Sequence, residues 1–241
     1  MRLTCAGSGS NGNCYLLQTD NDILILDAGI SIKTVLPIID FQISKISGIL
    51  VSHSHSDHDG YASGWKERGI KVVRPFDDSN KNTTIKKGST FSFKPFKLID
   101  SQGRWVHTNG DGTECPIYGY YIKLPNNEIL VYATDIEFIK YKFKNVNHFL
   151  IESNYDLEEL ENENNNNKSS KHLHHVFQGH HSIQAACKFI QANMSDELKT
   201  VTLCHLSLQN GSPEKFKTMM QEVVGDEVRV YIAKKGLDFE L

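Results

Sequence analysis

The apolar positions of this chain fall first into short runs and only later into helical stripes. Residues 1–7 and Cys14 to Gln18 read as strands on either side of the turn Ser8-Gly9-Ser10-Asn11-Gly12-Asn13, whose residue types tolerate positive φ. A tight turn at Asn21-Asp22 leads to a third run, Ile23-Leu24-Ile25-Leu26-Asp27, so the chain opens as a β-meander. A short helix is expected from Ser31 to about Ile39, and a strand at Ile49-Leu50-Val51-Ser52. The stretch from Gly60 to Arg68, stopped by Gly69, reads as helix, and Lys71 to Arg74 as strand. Residues 84–99 read as β-ribbon, and Tyr118 to Leu124 pairs with Glu128 to Thr134 around Pro125-Asn126-Asn127. Asn147 to Glu152 is a further strand.

The second half changes period. Ser182 caps a helix with Ile183, Ala186, Cys187 and Ile190 on one face. Ser212-Pro213 opens another, with Phe216, Met219, Met220 and Val223 on one face and Gly225 at its end. Strands at Val201 to Cys204 and Val228 to Ile232 alternate with these helices. Two sheets packed face to face, with helices outside, satisfy every stripe. A doubly wound parallel sheet fits less well, because the first half holds too many hairpins. The whole span 1–241 reads as a single domain. Its one break is the Asn/Glu-rich stretch 156–171, which buries little and reads as a mobile loop or frayed helix.

Composition narrows the setting. No run approaches the roughly 18 to 20 apolar residues of a membrane span, and Met1-Arg2-Leu3-Thr4-Cys5 opens no signal region. A soluble, cytoplasmic protein without membrane contact is expected. The net charge of -3 argues against a broad electrostatic footprint on a duplex. It leaves a nuclease open, because metal ions supply local positive charge. Five cysteines without a CxxC pair point to reduced, buried thiols, not a disulfide framework.

The strongest chemical signal is His53-Ser54-His55-Ser56-Asp57-His58, directly after an apolar strand. His53 and His55, two apart, point the same way in an extended segment, whereas Asp57 and His58 point differently. One short loop therefore offers nitrogen and carboxylate ligands to two neighbouring metal positions, a donor set suited to Zn²⁺, Mn²⁺ or Fe.

HxHxDH after a strand resembles the signature of the metallo-β-lactamase superfamily. Leu26-Asp27-Ala28-Gly29 is similar to that superfamily's early aspartate motif, which braces the metal loop. The Ser8–Asn13 turn, Ala133-Thr134-Asp135, Ile151 to Asp156, Gly179-His180-His181-Ser182 and Cys204-His205-Leu206-Ser207 resemble motifs of its YycJ/WalJ-like, exonuclease-like branch, which is related to tRNase Z. The resemblance implies a four-layer αββα fold of two packed mixed β-sheets with helices on the outer faces. It also implies two divalent metal ions, Zn²⁺ or Mn²⁺. His53, His55, His107 and Asp135 would hold one, and Asp57, His58, Asp135 and His205 the other. Asp57 would also orient a metal-bridging hydroxide. His180 is the candidate proton donor, but His181 stands where the family has leucine, so either histidine could face the metals.

The implied activity is a metal-dependent phosphodiesterase or nuclease acting on a nucleic acid or nucleotide phosphodiester. A cyclic-nucleotide phosphodiesterase and an ester or thioester hydrolase are the alternatives, and a homodimer is left open. Candidate phosphate contacts are Lys86, Lys87, Lys94, Lys97 and the run Lys140-Tyr141-Lys142-Phe143-Lys144, whose alternating rings could stack on bases or form a solvated edge. His172, His174 and His175 read as solvated surface, with phosphate contact as the alternative.

Overall fold

The computed structural model describes residues 1–77, 84–164, 179–207 and 209–241. The strands in chain order are β1 (Arg2–Gly7), β2 (Cys14–Gln18), β3 (Ile23–Leu26), β4 (Ile46–Leu50), β5 (Val72–Val73) and β6 (Ser92–Lys97). There follow β7 (Tyr118–Lys123), β8 (Ile129–Ala133), β9 (His148–Glu152), β10 (Thr200–Cys204), β11 (Arg229–Ile232) and β12 (Asp238–Glu240). The helices are α1 (Ile32–Ile38), α2 (Ser56–Asp59), α3 (Ala62–Glu67), α4 (Leu157–Asn164), α5 (Ile183–Ala192) and α6 (Pro213–Val224).

Two six-stranded sheets result, ordered β12-β1-β2-β3-β4-β5 and β11-β10-β9-β8-β7-β6. Both are mixed. In the first, β1, β2 and β3 are antiparallel neighbours, and β3, β4 and β5 run parallel. In the second, β6, β7 and β8 are antiparallel, and β8 through β11 run parallel.

The unbroken apolar run Ile23-Leu24-Ile25-Leu26 follows from this layering, because a strand covered on both faces has no polar side to alternate with. Leu24 and Leu26 point into the core between the sheets, together with Leu3, Tyr15, Tyr120, Tyr132 and Leu150. Ile23 and Ile25 point outward, to a layer that includes Val35 of α1 and Trp65 of α3. On the far side, Phe149, Ile151, Val201 and Leu203 meet Ile183, Ile190, Phe216 and Met220 of α5 and α6. The architecture is αββα, as the sequence pattern predicts.

Local chemistry sets the helix ends. Ser182 Oγ accepts the Ala185 amide at 3.1 Å, and Ser212 Oγ accepts that of Lys215 at 3.3 Å. Gly225, at φ 74°, terminates α6. The apolar stripes sit slightly round from their predicted faces. Phe189 and Val224 are buried, whereas Cys187, Met219 and Val223 are half-buried.

Three stretches depart from expectation. Only residues 92–97 of the predicted 84–99 ribbon form a strand, because Asp22 draws the preceding segment away. Its carboxylate accepts the Thr90 amide and the hydroxyls of Ser89 and Thr90. The helix expected over 60–68 forms as α3 over Ala62–Glu67, and a separate turn, α2, precedes it within the histidine run. Within the polar 156–171 stretch, Leu157–Asn164 is helical. Asp156 accepts the Glu158 amide at 2.9 Å, and Leu160 is buried against Tyr155. The rest of that stretch, with His172, His174 and His175, lies outside the described residues. Among the described residues no helix is long and apolar enough to cross a membrane.

Trp65 anchors the helix that follows the His53–His58 loop and is fully buried. Truncating it leaves a cavity beneath the sheet. Trp65→Ala is expected to lower unfolding free energy by about 3–5 kcal/mol. An unchanged urea midpoint would contradict this packing.

Candidate metal centre

The parallel strands of the two sheets deliver chemistry at their C-terminal ends. The chain leaves β4 into His53–His58, β8 into Asp135 and β10 into His205, while β9 ends on Glu152. Three residues at such ends have left-handed backbone: Asp27 at φ 59°, Asp135 at 50° and His205 at 54°. L-residues rarely adopt that region, and non-glycine cases cluster where function over-determines the backbone.

Asp27 holds the loop. Its buried carboxylate accepts the Ser52 amide at 2.7 Å, the Ser52 hydroxyl at 3.0 Å and the Tyr132 hydroxyl, and lies 2.6 Å from His58 Nδ1. Gly29 brings the preceding turn against the same loop. A methyl group there would stand 1.6 Å from the Asp57 carbonyl oxygen, so no larger residue fits without moving the loop. The Asn13 amide donates to that carbonyl at 2.7 Å, and Asn13 Nδ2 reaches His58 Nε2 at 3.0 Å.

Two donor groups share one edge of the sandwich. His53, His55 and His107 form one, and Asp57, His58, Asp135 and His205 the other, with the ligand atoms of each within 4.8 Å of one another. His107 Nε2 lies 3.1 Å from His55 Nδ1. Two nitrogens on one Zn²⁺ stand roughly 3.4 Å apart, at about 2.1 Å from the ion. Asp135 Oδ2 lies 2.6 Å from His58 Nε2 and 3.4 Å from His53 Nε2, so one carboxylate touches both groups. His53 Nε2, His107 Nδ1 and Asp135 Oδ1 are buried without a hydrogen-bond partner, an arrangement costly unless something else satisfies them.

The electrostatics ask for cations. Asp27, Asp135 and Glu152 are buried, and Asp57 is half-buried. Burial opposes a charge on His58, but the Asp135 and Asp27 carboxylates outweigh it and hold its pKa well above the ordinary imidazole value. Burial is likewise outweighed at His205, raised to about 9 chiefly by Asp135, and at His180, raised to about 10 chiefly by Glu152. Burial wins at His53, which falls well below the ordinary value, and at His107, which falls to about 4. Protons on three histidines thus offset four carboxylates. Divalent ions would displace the protons of His58 and His205, leave that of His180 and serve the same balance, so the donor set fits divalent metal.

Similarity to known proteins agrees with this geometry. Residues 7–113 match the metallo-beta-lactamase superfamily. The first half of the chain thus resembles that superfamily. It is 28% identical to Exodeoxyribonuclease YycJ of Bacillus anthracis, over 94% of this chain and 90% of that one. It is 25% identical to Exodeoxyribonuclease WalJ of Streptococcus pneumoniae, over 97% of this chain and 90% of that one. The metallo-beta-lactamase fold protein YhfI of Bacillus subtilis superposes with a TM-score of 0.68 at 16% identity, covering 99% of this chain and 98% of that one. Human tRNase Z, short form, superposes with a TM-score of 0.57 at 14% identity, covering 100% and 99%.

All seven predicted ligand positions meet at one edge. After His107 the chain makes a loop that closes where Cys115 N donates to the His107 carbonyl at 2.9 Å. The histidine pair separates. His180 lies with Nδ1 2.7 Å from Glu152 Oε1 and 3.3 Å from Asp135 Oδ1, its ring stacked on His205 with centroids 5.4 Å apart. His181 turns inward and is buried, its carbonyl accepting the Asn154 amide.

Sequence reasoning missed Glu152 as a site residue. It accepts the Ile136 amide at 2.7 Å and lies beside both His180 and His205. The signal was an acid ending an otherwise apolar strand, fully buried. Asn13 at His58 and Asn109, whose Oδ1 lies 3.2 Å from His55 Nε2, were also not singled out.

A carboxylate on the outer nitrogen of a ligating imidazole fixes ring orientation and raises its basicity. Asp27→Asn is therefore expected to weaken metal binding about 10–100-fold, read by competition with a chromophoric chelator. Unchanged affinity would remove Asp27 from any role in positioning His58.

Proposed function

We propose that the chain is a metal-dependent phosphodiesterase acting on nucleic acid, an exonuclease-like enzyme, with the seven clustered residues as ligands of two divalent ions. The observation that carries this reading is Asp135, whose single carboxylate touches both donor groups beside a second buried acid–imidazole pair, Glu152–His180. An oxygen ligand can bridge two cations, whereas one imidazole nitrogen cannot. Curated relatives that align over most of the chain carry the name exodeoxyribonuclease, which supports the nucleic-acid substrate.

Zn²⁺ or Mn²⁺, both suited to nitrogen and carboxylate donors, would supply Lewis acidity and a water of lowered pKa. The chain's residues do the rest. Asp57 keeps 22% of its side chain exposed, against 3% for Asp135, so it is the carboxylate within reach of an entering water. It accepts and orients that water's hydrogen for attack on phosphorus. Glu152 accepts from His180 Nδ1, which keeps a proton on the imidazole and leaves its other nitrogen to protonate the departing oxygen. His180 is 19% exposed, open enough to meet a substrate, whereas buried His181 is not.

The test is hydrolysis of bis(p-nitrophenyl) phosphate and of end-labelled single-stranded DNA after chelation and return of Zn²⁺ or Mn²⁺. Asp57→Ala is expected to lose at least about 10³-fold in kcat, and His180→Ala about 10²–10⁴-fold. The His180→Ala loss should be smaller on bis(p-nitrophenyl) phosphate, whose leaving group needs little protonation. A metal-loaded wild type without phosphodiester turnover would overturn the reading and favour a carbon-ester substrate.

A further inference from the structure

Beside the metal centre lies a groove of about 800 Å³ that the proposed chemistry does not use. It abuts the centre on the side of Asp57 and His205. Ser8 lines it and accepts the His205 amide at 2.8 Å, and Gly29 lines it where the backbone presses on Asp57. Its apolar wall includes Ile30, Leu206 and Ile232. Tyr61, on the same wall, is 44% exposed, an unusual position for a large ring.

The charge of this groove opposes that of the chain. Three lysines line it, Lys217 on α6 and Lys234 and Lys235 after β11, against one carboxylate, Glu214. All three are exposed, and none makes an ion pair with a described residue. Four cations elsewhere are paired, Lys199 with Glu128, Lys215 with Asp156, Arg74 with Asp59 and Arg104 with Asp100, whereas those of the groove stand together beside the metal centre, unpaired among the described residues. The lysine-aromatic run at 140–144 is a poorer candidate, because its rings are already engaged. Tyr141 packs on Phe96, and Phe143 packs on Phe96 and Phe189.

We propose that this groove holds the single-stranded part of a nucleic-acid substrate next to the scissile bond, with Lys217, Lys234 and Lys235 on its phosphates and Tyr61 against a base. This inference rests on the phosphodiesterase reading. The pairing of an apolar wall with exposed lysines selects an unpaired strand, since only there are base faces free to meet apolar side chains while phosphates meet cations. A duplex buries those faces in its own stack.

Steady-state hydrolysis of a short oligothymidylate and of bis(p-nitrophenyl) phosphate separates the two levels. Three proteins are compared: wild type, Lys217→Ala/Lys234→Ala/Lys235→Ala, and a control, Lys66→Ala/Lys188→Ala, on exposed helix positions that do not line the groove. The groove variant should raise KM for the oligonucleotide about tenfold. It should also make log(kcat/KM) against log salt shallower by about 2, from roughly 0.7 for each phosphate no longer neutralised. The control should follow wild type. A groove variant that matches wild type on the oligonucleotide overturns the proposal. So does a variant that loses both substrates equally, which would place the lysines at the metals. Wild type active on bis(p-nitrophenyl) phosphate but not on the oligonucleotide sinks the groove and the single-stranded substrate while phosphodiester chemistry stands, and inactivity on both sinks that chemistry as well.

Discussion

The carboxylate of Asp27 ties the two sheets to one loop. It sits on the first sheet, accepts the Tyr132 hydroxyl from the second, and holds Ser52 and His58 at the two ends of the histidine run. A fully buried carboxylate is costly unless its oxygens are satisfied, and here four donors surround it. The network therefore has one low-energy arrangement, and that arrangement fixes where His58 points. Removing any donor leaves a buried charge short of partners, so the site and the sheet packing share their stability.

The same edge of the sandwich concentrates backbone strain. Asp27, Asp135 and His205 hold left-handed backbone, and the Gly29 and Asp57 backbones meet too closely for a side chain at Gly29. Such positions cost about 1–3 kcal/mol each and need support from their surroundings. The support is the buried strands beneath. The β3, β4, β8 and β10 strands are covered on both faces and stop at one level, so their continuing residues have no freedom to relax inward. Rigid strands with strained ends hold donors near one another before any ion arrives, which lowers the reorganisation that binding costs.

Much of this was legible from sequence, and the reasons differ by residue. The layered fold could be read because strands covered on both faces show continuous apolar runs, while α5 and α6 show single stripes. His53 to His58 could be read because the ligands are adjacent in the chain. Asp135 and His205 became readable through the strands they end. Glu152 did not, because a lone acid at the end of an apolar strand resembles a solvated strand terminus until a second strand, β10, brings His205 beside it. The contest between His180 and His181 could not be settled locally either. Which one faces Glu152 depends on the path of the chain before α5, and neighbouring side chains in an extended segment point opposite ways. The segment before β6 was misread because its turn is set by Asp22, more than sixty residues earlier.

Net charge was the least informative global property for the proposed substrate. A chain at -3 gives no sign of a polyanion substrate, yet charge acts locally. The acids gather at the interior of the metal edge, where they are matched by protons or cations within a few ångströms, and a matched cluster contributes little field at a distance. Several peripheral acids are likewise neutralised by their own salt-bridge partners. On the proposed reading, a passing strand would sense the unmatched remainder, and beside the metal centre that remainder is the groove's lysines. A modest surplus beside the metal centre would suit the proposed exonuclease-like activity, because every phosphate contact that aids capture also slows departure.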